Sequence, residues 1–209
     1  MRSIQLVSTL MISTAAIVGL AGQLSWAATF ESHWDEVCDR VWIGPEYWAN
    51  PMEDWRIQDG RLECVTGGPN RNVHVLVCEL GQKAAQWEMS VRCGRIGTEA
   101  QAGSVGFRVG IADEIDDYRA CCLKGKGLDL GLNHQGKLFI GATRSDTALA
   151  RIYLSDVLLH VTAQANGILQ LQARDPETAK VLGALSKRVE PLTGNIALVN
   201  NHKAGKARY

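Results

Sequence analysis

The sequence predicts an all-β sandwich, on three observations: apolar residues recur at every second position from Trp55 onward, turn residues interrupt them about every ten positions, and helical spacing is scarce. Trp55–Glu63 reads as a strand pair around Gln58-Asp59-Gly60-Arg61, whose Asp-Gly step favours the positive φ angles of a tight hairpin. Val73, Val75 and Val77 share one face of the next strand, and Trp87, Met89 and Val91 share one face of another, which Cys93 extends. Over Ser104–Ile111 the alternation places Val105, Phe107, Val109 and Ile111 on the core side and Gly106, Arg108 and Gly110 on the other.

Further strands are predicted at Tyr118–Lys124, at Leu128–Leu132 and Lys137–Ile140 around Asn133-His134-Gln135-Gly136, and at Val157–Ala165 and Ile168–Arg174 around Asn166-Gly167. Lys180–Leu185 and Asn195–Asn200 read as a last pair. Only Ser145–Leu154, with Ala148, Leu149, Ile152 and Tyr153, offers a helical spacing of a turn or two.

The N-terminus has a different character. Arg2 precedes a charge-free apolar run from Ile4 to Leu20, and Ser25 and Ala27 place small residues where a signal peptidase requires them. Residues 1–27 are therefore expected to be a cleavable Sec-type signal peptide, with Ala28 as the alternative cut and an uncleaved anchor over Ile4–Leu24 as the rival reading. The expected location is secreted or periplasmic. Residues 28–209 then form a single domain large enough to bury a substantial core, with no linker and no later membrane span. Lys+Arg and Asp+Glu number 22 each, so no net field draws the chain to nucleic acid or an anionic surface.

All six cysteines (Cys38, Cys64, Cys78, Cys93, Cys121 and Cys122) follow the signal, so disulfides are permitted. No CxxC spacing suggests a metal or redox pair. Cys93 reads as a small buried apolar residue, and Cys121 and Cys122 point to opposite faces of one strand.

Chemistry-bearing patterns are few. Glu114-Ile115-Asp116 opens like the Glu-Ile-Asp core of a family of jelly-roll glycoside hydrolases, whose retaining mechanism needs two carboxylates about 5 Å apart. The second glutamate would stand at position 118, which is Tyr118. Asp113, Glu114, Asp116 and Asp117 then read as a solvated loop, with a Ca²⁺ site of hard oxygen ligands as the functional alternative. The five histidines show no HxH or HExxH spacing, and no GxSxG elbow or phosphate loop is present.

Trp34, Trp42, Tyr47, Trp48 and Trp55 fall close together, and exposed indoles on a sandwich are suited to stacking sugar rings. Trp42, Tyr47 and Trp48 are the candidate ligand-binding residues. The competing expectation is that these aromatics close one end of the core.

The runs DRVWIGPEYWANPMEDWRIQDGRLECVTGGPNRNVHVLVCEL and VGFRVGIADEIDDYRACCLKGKGLDLGLNHQGKLFIG, with the tail LQLQARDPETAKVLGALSKRVEPLTGNIALVNN, resemble one known module over most of residues 38–201. It is the N-terminal concanavalin-like (laminin-G-like) domain of bacterial alkaline phosphatase D-type metallophosphatases. The W-x-x-x-D-G-R-L-E opening at Trp55 is also similar to 3-keto-disaccharide hydrolase domains. The resemblance implies a concanavalin A-like jelly roll and a phosphatase domain downstream. That family's metal ligands lie in later Asp/Asn/His clusters absent from this chain, so no catalytic residue carries over. The chain ends at Tyr209 in GKARY, close to where a final strand with an apolar-aromatic face is expected, so the 28–209 sandwich is expected to lack its last strand, which would leave an unpaired sheet edge, or to lack a downstream catalytic domain.

The sequence thus predicts an exported, non-catalytic module that binds a glycan or envelope polymer, or that serves an alkaline phosphatase D-type phosphoesterase as an accessory. It needs no cofactor of its own beyond the Ca²⁺ alternative. A glycoside hydrolase using Glu114 and Asp116, and a truncated remnant of a secreted phosphatase, are the rivals.

Overall fold

A computed structural model describes residues 29–81, 86–97, 102–112, 126–203 and 205–209. Strand propensity and alternation produce β1 (Tyr47–Asn50), β2 (Trp55–Gln58), β3 (Arg61–Cys64), β4 (Arg71–Leu80), β5 (Trp87–Ile96), β6 (Ser104–Ile111) and β7 (Leu128–Asn133). They continue with β8 (Lys137–Ile140), β9 (Thr143–Ala148), β10 (Val157–Ala163), β11 (Ile168–Arg174), β12 (Val181–Arg188), β13 (Gly194–Asn200) and β14 (Lys206–Arg208). The helical content among the described residues is three short 3-10 turns, and none of it is long and apolar enough to cross a membrane.

One antiparallel sheet runs β1-β4-β13-β6-β7-β8-β9 and the other β12-β11-β10-β5-β14-β3-β2. The two sheets pack face to face as the all-β jelly-roll sandwich that the sequence predicts. Phe107, Leu130, Ile140 and Leu198 from the first sheet meet Val91, Leu159, Leu169 and Leu171 from the second in one apolar core. Each of these side chains is removed from water, which stabilises the fold by about 25 cal/mol per Å² of apolar surface.

The turns explain the registers. Asp59 (φ 51°) and Gly60 (φ 70°) both take positive φ, so β2 and β3 meet in a tight type I′ hairpin with Gln58 opposite Arg61. At the other predicted hairpin the Gly167 N–H donates to the Gln164 carbonyl, and of its two central residues only Gly167 has positive φ. Its β10 strand therefore ends at Ala163 rather than Ala165. Asn133 Oδ1 accepts from the N–H groups of Gln135 and Lys137 and closes the β7–β8 turn.

Several expectations are corrected. Gly110 (φ 67°) sits in a bulge where Asn195 pairs with Ile111 but Ile196 pairs with Val109. One extra residue moves every following side chain to the opposite face, so Ile111 leaves the main core and packs with Ala197. Residues 143–148 form strand β9 rather than a helix, followed by a 3-10 turn over Arg151–Leu154. β12 and β13 lie in different sheets and do not pair.

The C-terminal residues occupy the interior of a sheet. β14 is flanked by β3 and β5, and the expected unpaired edge is not found there. Tyr209, next in the chain, is fully buried and its hydroxyl donates to the Val199 carbonyl at 2.6 Å, which ties the second sheet to β13 of the first. The signal-peptide residues 1–27, the strand expected at Tyr118–Lys124, and Cys121 and Cys122 lie outside the described residues.

The Tyr209 hydroxyl provides a direct check of this architecture. Tyr209→Phe leaves the buried Val199 carbonyl short of a donor and should destabilise the protein by about 1–3 kcal/mol. In urea unfolding the midpoint should fall with the slope unchanged.

Candidate functional site

The aromatic cluster divides according to strand periodicity. Successive residues of β1 point to opposite faces, so Tyr47 enters the core while Trp48 faces outward. The Tyr47 ring lies 5.1 Å from that of Trp34 and 6.0 Å from that of Phe30, and its hydroxyl donates to Ser32 Oγ at 2.6 Å. Burial pushes the Tyr47 phenol pKa well above its ordinary range. Trp55 is also buried in the core. To this extent the aromatics do close one end of the sandwich.

Trp48 stands at the head of a transverse row on the outer face of the first sheet. Direct cross-strand pairing runs Trp48–His74–Ala197–Arg108–Asp129 over five adjacent strands. The Trp48 and His74 rings lie 5.5 Å apart, His74 Nδ1 is 2.7 Å from Asn195 Oδ1, and Arg108 donates through Nε and Nη2 to the two Asp129 carboxylate oxygens at 2.5 and 2.9 Å. His74 and Arg108 are buried although they face away from the core. The row is a hydrogen-bonded polar lattice within the protein, and Trp48, half-buried at its end, packs against His74 within it.

Trp42 has the opposite environment. It is 54% exposed, next to Val41 at 78%, so two large apolar side chains meet solvent side by side. The guanidinium of Arg40 lies 4.9 Å from the Trp42 ring centroid and braces it. Arg40 is itself fixed through its backbone: its N–H donates to the Ile57 carbonyl at 3.0 Å and its carbonyl accepts from the Ile57 N–H at 2.7 Å, extending the free edge of β2. Arg40 and Tyr47 then line one cleft of about 180 Å³, together with Phe30, Glu31, His33, Trp34 and Glu46. It lies on the seam where the edge strands β1 and β2 of the two sheets come together.

Two donors in the cleft wall are unsatisfied. The indole Nε1 of the buried Trp34 and Nε of Arg40 have no acceptor among the described residues. Both atoms are closed to solvent, as are the likewise unpartnered Trp55 Nε1 and Arg95 Nη1 elsewhere in the protein, so the cleft's accessible polar groups are its carboxylates and His33. An aromatic platform beside carboxylates and N–H donors can hold a sugar, with its apolar ring face on the indole and its hydroxyls on the polar groups.

Other clusters carry less chemistry. Ser90 Oγ and His160 Nδ1 are 2.8 Å apart, as cross-strand partners on the outer face of the second sheet, and burial lowers the His160 pKa. Glu63 accepts from both Arg56, at 3.0 and 3.2 Å, and Arg208, which locks β2, β3 and β14 together. Among the described residues no group of three or more His, Cys, Asp or Glu side chains is arranged to hold a metal ion. Asp113, Glu114, Asp116 and Asp117, the expected Ca²⁺ set, lie outside them. Cys38, Cys64, Cys78 and Cys93 are free thiols, so no described cysteine is in a disulfide; burial pushes the Cys93 pKa up to about 12, and the residue acts as a core apolar group.

Neither a protein-family model nor a curated protein matches the sequence. Similar solved structures include the potassium-bound carbohydrate recognition domain of Emp46p, at 15% identity and a TM-score of 0.48 over 78% of this chain and 85% of that one. The exoplasmic/lumenal domain of VIP36 in its Ca²⁺/Man-bound form is similar at 9% identity and 0.46, over 78% and 80%. GH43B of the Bacteroides ovatus xyloglucan PUL is similar at 16% identity and 0.46, over 81% of this chain and 36% of its own. With TM-scores below one half, these similarities assign the chain neither a ligand nor an activity.

The buried row yields a pH prediction. Desolvation lowers the His74 pKa from 6.5 to about 4, so the folded state resists a proton that the unfolded chain accepts. Stability should be full above pH 6.5 and fall as the pH drops toward 4, by up to about 3 kcal/mol. His74→Gln should flatten that part of the curve in urea titrations at stepped pH.

Proposed function

We propose that this protein is a non-catalytic glycan-binding sandwich module whose ligand stacks on Trp42 and enters the adjoining cleft. The observation that carries the reading is the exposed Trp42, 54% accessible, held by Arg40, which also lines the neighbouring cleft. An indole presented in this way has no packing role to explain its position. Stacked sugar rings use the same flat apolar area with a polar rim.

The three aromatics read from the sequence have separate tasks. Trp42 is the platform, Tyr47 is the rigid rear wall, and Trp48 holds the outer row of the first sheet. Export by the expected signal would bring the module to envelope or extracellular polymers. The accessory role beside a phosphoesterase rests on the sequence resemblance alone.

Glycan arrays followed by calorimetry on the full chain test the reading. Trp42→Ala should weaken binding to a saccharide hit by at least about tenfold, roughly 1.4 kcal/mol, while leaving the unfolding midpoint within error. Trp48→Ala should instead lower stability with little change in affinity. Absence of any saccharide binding, or equal binding by Trp42→Ala, overturns the proposal.

A further inference from the structure

An uncovered sheet edge is a template for another strand. Of the four edge strands here, β1 and β2 are four residues long, β9 is six and β12 is eight. On β2 the Arg40 bridge already occupies both backbone groups of Ile57. β12 pairs with β11 and with no other strand. The Val189 N–H donates to the Gly167 carbonyl, so by alternation Lys187, Leu185 and Gly183 direct their backbone groups to β11. Those of Ala184, Ser186 and Arg188 face outward, and no hydrogen bond from the described residues reaches them.

Edge strands are ordinarily guarded by bulges and charged side chains. The bulge in β12 is confined to its start, where Val181 faces Arg174 but Gly183 faces Ala173, and residues 183–188 run in regular register. Both cations of the strand are turned away from its edge. Lys187 Nζ reaches over Gly141 of the first sheet, and Arg188 donates to the Asn166 carbonyl in the β10–β11 turn. What the edge presents is Ala184 and Ser186, both small and exposed, so a second strand can approach at the ordinary spacing of about 4.8 Å. Opposite charges flank the strand, Lys180 before it and Glu190 after it, both exposed and neither in an ion pair among the described residues. Separated by the length of β12, they cannot reach each other within one chain.

We propose that β12 pairs antiparallel with β12 of a second copy of this chain about a two-fold axis at Leu185, joining their second sheets into one sheet with seven strands from each copy. In this register Ala184 exchanges both backbone hydrogen bonds with Ser186 of the partner subunit, and the converse pair makes about four bonds in all. Lys180 then stands by Glu190 of the partner subunit on both sides of the axis, and no like charges face each other. A strand with opposite charges at its two ends is self-complementary when antiparallel, which is what a two-fold contact requires. The Trp42 platform stands beside β2, at the far edge of the second sheet, so the joint sheet carries one platform at each end. On the glycan-binding reading above, such a dimer is bivalent for a polymer and gains by avidity.

Sedimentation equilibrium on the full chain tests the pairing without any ligand. An edge-to-edge contact is small and belongs to the weak class, so the mass should rise from one chain to two across the micromolar range. Ala184→Glu/Ser186→Glu sets like charges face to face at the axis and should keep the protein monomeric throughout, with an unchanged unfolding midpoint because both positions are exposed. Lys180→Glu and Glu190→Lys should each weaken the dimer by about threefold, and the two together should restore it. A mass of one chain at every concentration overturns the inference. So does association that survives Ala184→Glu/Ser186→Glu, or a charge swap that restores nothing. None of these outcomes depends on saccharide binding at Trp42, which stands or falls by its own test.

Discussion

Every other feature of this protein leans on the burial of two apolar sheet faces against each other. Leu159, Leu169 and Leu171 on one side and Phe107, Leu130 and Leu198 on the other leave the water together, and period-two geometry then decides what each neighbouring residue can do. Because Tyr47 points into that core, Trp48 must point out, and because Val109 points in, Arg108 must point out. The outer row from Trp48 to Asp129 is thus a by-product of core register. Its members are side by side because five strands share one alignment.

The same constraint shapes the ends of the sandwich. Two sheets packed face to face leave a seam along their edges, here between β1 and β2. The segment before β1 covers this seam with Phe30, Trp34 and Ile43, and its backbone bridge from Arg40 to Ile57 extends the sheet edge. Once Ile43 has turned inward, Val41 and Trp42 remain in solvent. The cleft lined by Arg40, Glu46 and Tyr47 exists because a short covering segment cannot fill the whole seam.

The strong alternation over β6, β10 and β11 is legible, because Val105, Phe107 and Val109, then Val157, Leu159 and Val161, then Leu169, Leu171 and Ala173 meet the core at every second position. What was not legible depends on tertiary placement. Lys206–Arg208 carries no strand pattern of its own; it becomes β14 because β3 and β5 offer open ladder groups on both sides. Thr143–Ala148 is almost wholly polar as an edge strand, which concealed β9 under a helical spacing. The displacement of Ile111 turns on the φ of one glycine, Gly110, within an otherwise regular run. In the site, the sequence showed that aromatics cluster, but the exposure of Trp42 and the burial of Tyr47 follow from the turn at Ile43-Gly44 and the start of β1, which composition does not encode. The unsatisfied Trp34 and Arg40 donors had no sequence signal at all.

If Trp42 and its cleft hold a saccharide while the outer row of the first sheet does not, the tryptophans must respond differently to it. Indole N–H resonances, followed by NMR as an oligosaccharide is titrated in, resolve this because each tryptophan reports its own location. The Trp42 and Trp34 signals should move together and saturate while those of Trp48, Trp55 and Trp87 stay in place. Shifts confined to Trp48, or spread evenly over all the indoles, would contradict a saccharide seated on Trp42.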